Sequence, residues 1–225
     1  MSSIIYSVNI GGYDNLISPK IYDKNIRYIL FTDNKYFKSN VWEICHIDFL
    51  NNLDNRLKSR YIKLNPGKVL PPHDNSLWVD NNIIPNISNF NDFLVNIKFL
   101  GNNIMLFKHR IRSCIYEESK KVLDLKKEIP NVVKKQMEKY ISEGYPKNYG
   151  LFETGFMIRN NNKETNEFNE FWWNEVLNGS GRDQLSQMYS SWKTSTKITP
   201  INIGNDNVLK NRFSTYTPHI IELTY

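Results

Sequence analysis

The sequence predicts an α/β domain, a β-sheet flanked by helices, and three observations carry that expectation. Short β-rich runs recur through the first half at Ile4 to Asn9, Ile26 to Phe31, Val41 to Ile47 and Leu77 to Asp80. Apolar stripes at helical spacing lie between and after them. The 225 residues are 40% hydrophobic and 13% aromatic, enough to bury roughly 70% of the unfolded surface around one core. A single domain over 1–225 is therefore expected.

The elements follow in order. Between the third and fourth strands, Leu53, Leu57, Tyr61 and Leu64 form an apolar helical stripe, with Arg56, Arg60 and Lys63 on the adjacent stripe at i, i+4, i+7. Pro66-Gly67 ends that helix. A strand over Ile104 to Phe107 precedes a helix predicted over 110–127, with Ile111, Cys114, Ile115, Val122 and Leu125 turned inward. Pro130 opens the next helix, whose buried face is Val133, Met137, Tyr140 and Ile141 and whose end is marked by Gly144. Phe156 to Arg159 reads as a strand, and Phe168, Phe171, Trp172 and Val176 as a helix stopped by Gly179. Ser180-Gly181-Arg182-Asp183 has capping-box spacing before a last helix bearing Leu185, Met188, Tyr189 and Trp192. Trp172 and Trp173 are expected to split between the core and an exposed platform.

Composition narrows the class. The 31 asparagines and the absence of alanine reflect coding bias, of a protist or a large DNA virus, more than a structural demand. The net charge of +6, from 29 Lys and Arg against 23 Asp and Glu, suits an anionic ligand. Lysines are dispersed and zinc-finger spacing is absent, so a nucleic-acid module is disfavoured. Cys45 and Cys114 sit in apolar surroundings and are expected to be reduced thiols. The opening residues lack a signal-peptide pattern and no apolar run reaches spanning length, so a soluble, cytoplasmic protein without a membrane span is expected.

Chemistry concentrates at strand ends, where ligands of open α/β sheets bind. Asp80 and Asn82 lie on one side of the period-two pleat and offer hard oxygen ligands to Mn²⁺ or Mg²⁺. Gly11 and Gly12 permit close backbone approach to a nucleotide, Tyr13 can stack on a base, and Asp33 can accept from a base N–H or a ribose hydroxyl. Arg56, Arg60 and Lys63 supply the cations a metal–diphosphate site needs. The spacing is not that of a dinucleotide fingerprint.

In order along the chain, Tyr6, Gly11-Gly12-Tyr13-Asp14, Phe31-Thr32-Asp33, Trp42, Arg56 with Ser59-Arg60 and Lys63, Ser76 to Asn82, His109-Arg110 with Arg112 to Glu118, Glu143-Gly144-Tyr145-Pro146, Gly150-Leu151-Phe152-Glu153, Arg159, Trp172-Trp173 and Arg182 to Ser186 together resemble the glycosyltransferase-like domain of plant seed-mucilage and turgor-regulation proteins. The resemblance covers about residues 4–193. It implies a GT-A type, Rossmann-like fold with a mixed central sheet, and a UDP-sugar donor. Asp80 and Asn82 then correspond to the D-x-D metal motif, with one carboxylate where that motif has two, and His219 is the candidate third ligand. Asp183, ahead of Glu153, is the candidate general base toward an acceptor hydroxyl. Arg182, His109 and Arg112 are candidate contacts to the sugar or diphosphate.

The expected function is transfer of a sugar, a hexose by expectation, from a UDP-sugar to the hydroxyl of a glycan, protein or lipid acceptor. The alternative is a non-catalytic nucleotide- or carbohydrate-binding protein on the same fold, which the single carboxylate of D-x-N favours. Lipid amide hydrolysis of the ceramidase kind, also raised by the resemblance, ranks third. His46, His73, His109 and His219 show no zinc spacing, and no G-x-S-x-G elbow is present.

Overall fold

The computed structural model describes residues 2–12, 14–204 and 206–219. Strands β1 (Ser3–Asn9), β2 (Arg27–Thr32) and β3 (Glu43–His46) lead into helix α1 (Asn55–Leu64) and the single turn α2 (Pro66–Val69). They are followed by β4 (Asn75–Val79), β5 (Ile83–Pro85), α3 (Phe90–Asn96), β6 (Ile104–Lys108), α4 (Ile115–Asp124) and α5 (Pro130–Ser142). The chain continues through β7 (Phe152–Asn160), α6 (Lys163–Asn178), α7 (Gln184–Thr194), β8 (Ile198–Pro200), β9 (Lys210–Asn211) and β10 (Ser214–Tyr216).

Seven strands form a mixed sheet in the order β3-β2-β1-β4-β7-β6-β8, in which β7 runs antiparallel to both neighbours. This is the helix-flanked, Rossmann-like α/β arrangement predicted. Alternation along β1 explains the two layers. Ile4, Tyr6 and Val8 enter a core shared with Ile62, Ile115, Met137, Phe168 and Leu185, whereas Ile5 faces the other core with Leu77, Phe93 and Phe213. A small sheet, β5-β10-β9, covers that second face. The chain runs outward from β1 through β2 to β3 and then returns to place β4 on the other side of β1. Loops following β1 and β4 diverge there and leave a crevice.

Local chemistry sets the helix ends. Asp54 caps α1 by accepting from the Leu57 amide at 2.8 Å, and Asn162 caps α6 through Thr165. Gly144 takes φ of 81° just past α5, a conformation other residues rarely adopt.

Several expectations are corrected. The helix predicted over 110–127 begins only at Ile115, because His109 Nδ1 accepts the amides of Ile111 and Arg112 while Arg110 and Arg112 reach for Glu153 and Glu118. Ile111, Leu125 and Ile141 are exposed instead of core-facing. The capping box at Ser180 is absent: Ser180 Oγ accepts from the Arg182 amide and donates to Glu128, and Asp183, itself the N-cap residue of α7, makes no side-chain cap bond. Trp172 and Trp173 are both buried, so neither is a platform. Cys45 and Cys114 are free thiols. Among the described residues no helix is long and apolar enough to cross a membrane.

Candidate active site

Helix α1 delivers Lys63 beneath the end of β4, and the site is organised around that ammonium. Lys63 Nζ lies 2.6 Å from Asp183 Oδ2 and 3.3 Å from Asp80 Oδ1, and 5.3 Å from the ring centre of Trp78. Its side chain is 1% exposed, whereas that of Asp80 is 38% exposed and opens to solvent. Trp78 Nε1 donates to the same Asp80 Oδ1 at 2.8 Å. With Oδ1 held by two donors, Oδ2 takes no hydrogen bond from the described residues.

The backbone places this carboxylate as firmly as the side chains do. The Asp80 amide donates to Gly155 O at 2.8 Å, and the Ile83 amide closes a turn onto Asp80 O at 2.8 Å. Strand β7 shifts register against β6 at this level, pairing Leu106 with Met157 but Phe107 with Glu153. Bulges of this kind commonly aim groups at active sites. A Cβ on Gly155 would stand 2.9 Å from Ile83 Cδ1 and 3.1 Å from Asp80 Oδ2, so glycine leaves Asp80 its room.

Lys63 is fixed from behind. Its carbonyl accepts from the Tyr6 hydroxyl at 2.8 Å and from Arg159 Nη2 at 2.7 Å, and Arg159 also contacts the Tyr6 hydroxyl. Burial pushes the Tyr6 hydroxyl up to about 12, against the pull of Arg159, so it stays protonated and donates.

Asp183 is 4% exposed. Burial alone would raise its carboxyl, but Arg60, whose Nε is 3.4 Å away, together with Lys63 and Arg182, more than offsets this and holds it well below the ordinary carboxylate range. So low a pKa makes a weak proton acceptor. Glu153, the other predicted base, accepts from Arg110 Nε at 2.8 Å through Oε1, and its Oε2 is sealed from solvent. Both acids are thus engaged by cations in this structure, Asp183 by Lys63 and Arg60 and Glu153 by Arg110.

A cleft of about 370 Å³ opens at the crevice between β1 and β4, and Gly11, Asp14, Arg56, Arg60, Asp80, Arg182 and His219 are among the residues that wall it. The structure thus brings together candidates from five separate parts of the sequence. Gly12 and Asp33 stand beside this cleft rather than in its lining. Asp33 accepts the Gly11 amide at 2.9 and 3.1 Å and so clamps the loop, in which Gly11 and Gly12 have φ of 74° and 67°. Tyr13 lies outside the described residues. Arg56 lines the cleft while bridging to Glu128 at 2.8 Å. His109 and Arg112 form a separate cluster with Glu118, away from the cleft lining. Burial lowers the His109 pKa, and its Nδ1 is already an acceptor for two amides.

Asn82 is buried, and its Nδ2 meets His219 Nε2 at 3.1 Å. His219 Nδ1 is 3.0 Å from Asp14 Oδ2. A carboxylate on the far ring nitrogen is how ligating imidazoles are oriented, but Asn82 occupies the near one. Among the described residues no three His, Cys, Asp or Glu side chains are grouped to hold a metal. The donor set fits an ion that takes one carboxylate, Asp80 Oδ2, and completes its shell with ligand phosphates, as Mg²⁺ commonly does. It does not form a cage for a resident ion.

Roles missed in the sequence include that of Gly155, whose strand context shows no signal of it, and that of Asp14, which stands in the Gly11-Gly12-Tyr13-Asp14 run but whose partner is 205 positions away. A family model described as TOD1/MUCI70, glycosyltransferase-like domain, matches residues 12–218. No curated protein matches the chain.

Proposed function

Because the chain belongs to the TOD1/MUCI70 glycosyltransferase-like domain family, we propose that it transfers a sugar, a hexose, from a UDP-sugar to a hydroxyl acceptor in the cleft between β1 and β4. In this reaction the acceptor oxygen bonds to the anomeric carbon. The bond from that carbon to the diphosphate breaks with its electron pair leaving on UDP, and the hydroxyl proton passes to solvent. The observation that carries the reading is the convergence of the basic face of α1 on Asp80, with Lys63 Nζ 3.3 Å from its carboxylate.

Each residue has a part. Arg60 and Arg56 face the growing negative charge on the departing diphosphate from the cleft wall. Lys63, held between Asp80 and Asp183, keeps the carboxylate of Asp80 in one orientation. The Gly11-Gly12 loop, clamped by Asp33, offers backbone close to the nucleoside. Mn²⁺ or Mg²⁺, which Asp80 would hold through Oδ2, would supply Lewis-acid neutralisation of the diphosphate when bound; the predicted further ligands Asn82 and His219 are hydrogen-bonded to each other instead.

Isothermal titration tests the reading. UDP should bind in the presence of Mn²⁺, weaken by about tenfold or more in Asp80→Ala, and bind poorly after chelation. Equal affinity in Asp80→Ala would sink the assignment, and equal affinity without metal would remove the ion. A second reading, nucleotide or carbohydrate binding without turnover, is favoured by one observation: both predicted bases are locked in ion pairs. UDP release across a panel of donor sugars separates the two, since a binding protein releases none.

A further inference from the structure

A second, larger cavity of about 820 Å³ borders the cleft and shares Asn55 and Arg56 with it. Its outer wall is the connection between α4 and α5, including Ile129 and Pro130, with Leu123 from the end of α4. The partition between the two spaces is a built one. Arg56 Nη1 donates to Glu128 Oε2 at 2.8 Å and Nη2 to Lys127 O at 3.3 Å, and the same Glu128 oxygen accepts from Ser180 Oγ at 3.0 Å. A Cβ on Gly181 would come within 2.8 Å of Arg56 Cδ, so the guanidinium's path is kept clear by a glycine.

The α4–α5 connection is costly as it stands. Ile129 is 62% exposed and Leu125 49% exposed, so two large apolar side chains meet water within five residues. Lys126 between them has φ of 50°, which a side-chain-bearing residue adopts at a cost. Apolar surface gathered at the lip of a cavity is a feature of ligand sites. One neighbouring space is polar and meets Asp80, the other exposes Leu123, Ile129 and Pro130 although Asp54, Lys126, Lys127 and Glu128 also line it, and a molecule spanning them needs a polar end and an apolar end.

We propose that this groove is the acceptor subsite for an amphiphile, a molecule whose hydroxyl-bearing head passes Arg56 into the cleft while its alkyl chain lies along Leu123, Ile129 and Pro130. The assignment rests on the glycosyltransferase reading of the cleft. It is tested by titrating the full chain with octyl β-D-glucoside and methyl β-D-glucoside below micelle-forming concentration, in wild type and in Ile129→Asp. Ile129 is the N-cap residue of α5, where aspartate is favoured, so the variant should fold. Wild type should bind the octyl compound about tenfold or more tightly than the methyl one, and Ile129→Asp should erase most of that preference while UDP binding is unchanged. Equal binding of the two glucosides, or an octyl preference that survives Ile129→Asp, overturns the groove. Loss of UDP binding by wild type with the octyl preference intact overturns the cleft reading instead, and with it the name of acceptor.

Discussion

Lys63→Met removes the ammonium between Asp80 and Asp183 while keeping an apolar stem of similar length. Lys63 and Asp183 have side chains 1% and 6% exposed and stand 2.6 Å apart, so the substitution leaves a buried carboxylate short of its nearest counter-charge. Removing one partner of a buried pair costs about 3–5 kcal/mol. Arg60, at 3.4 Å, retains part of the compensation, so the lower end, about 3 kcal/mol at neutral pH, is expected. The pH dependence identifies the cause. In wild type the folded pKa of Asp183 is depressed, so its contribution to stability is fully present above the unfolded value of about 4 and is lost as pH falls toward the folded one. Without Lys63, burial is offset less and the depression shrinks or reverses. The gap between wild type and variant should therefore be widest at neutral pH and narrow as the solution is acidified below the unfolded value of about 4 toward the folded one. Urea unfolding of both proteins at about pH 7 and about pH 3 measures this. A loss under about 1 kcal/mol at neutral pH, or an equal loss at both, would refute the reasoning.

Gly155→Ala should destabilise by about 1–3 kcal/mol through the clash with Ile83 and should also weaken UDP binding, since the new methyl displaces Asp80 Oδ2; melting and titration on the same sample check both, and an unchanged UDP affinity would uncouple Gly155 from the site. Asp33→Ala should leave stability within about 1 kcal/mol because Asp33 is exposed, yet lower UDP affinity several-fold by releasing the Gly11 amide. If affinity is unaltered, the clamp does not serve the ligand.

Much of the fold was legible because β1, β2, β3 and β4 are short β-branched or aromatic runs separated by turn residues, a pattern with few alternative readings. The basic face of α1 was equally readable from the i, i+4, i+7 spacing of Arg56, Arg60 and Lys63, although spacing alone could not tell that Lys63 would be buried under Trp78 while Arg56 turned to Glu128. The first turn of the helix predicted over 110–127 was lost to tertiary contacts, since Arg110 and Arg112 find buried acids that a local pattern cannot see. Helix α3 and the strands β9 and β10 are too short for periodicity to mark. The surroundings of the predicted proton acceptors were hidden for the same physical reason: Asp183 and Glu153 are acidic residues beside turns, and only the folded chain shows that Lys63 and Arg110 pair with them.

His219 touches Asp14 on one rim of the cleft and Asn82 on the other, and Thr217 donates to Asn82 O from the same segment. One imidazole therefore laces the turn after β1 to the turn after β4. The rims cannot part without undoing that lace, so widening of the mouth and detachment of the 217–219 segment are a single event, and a guest too broad for the closed mouth can be admitted only when this stretch lets go.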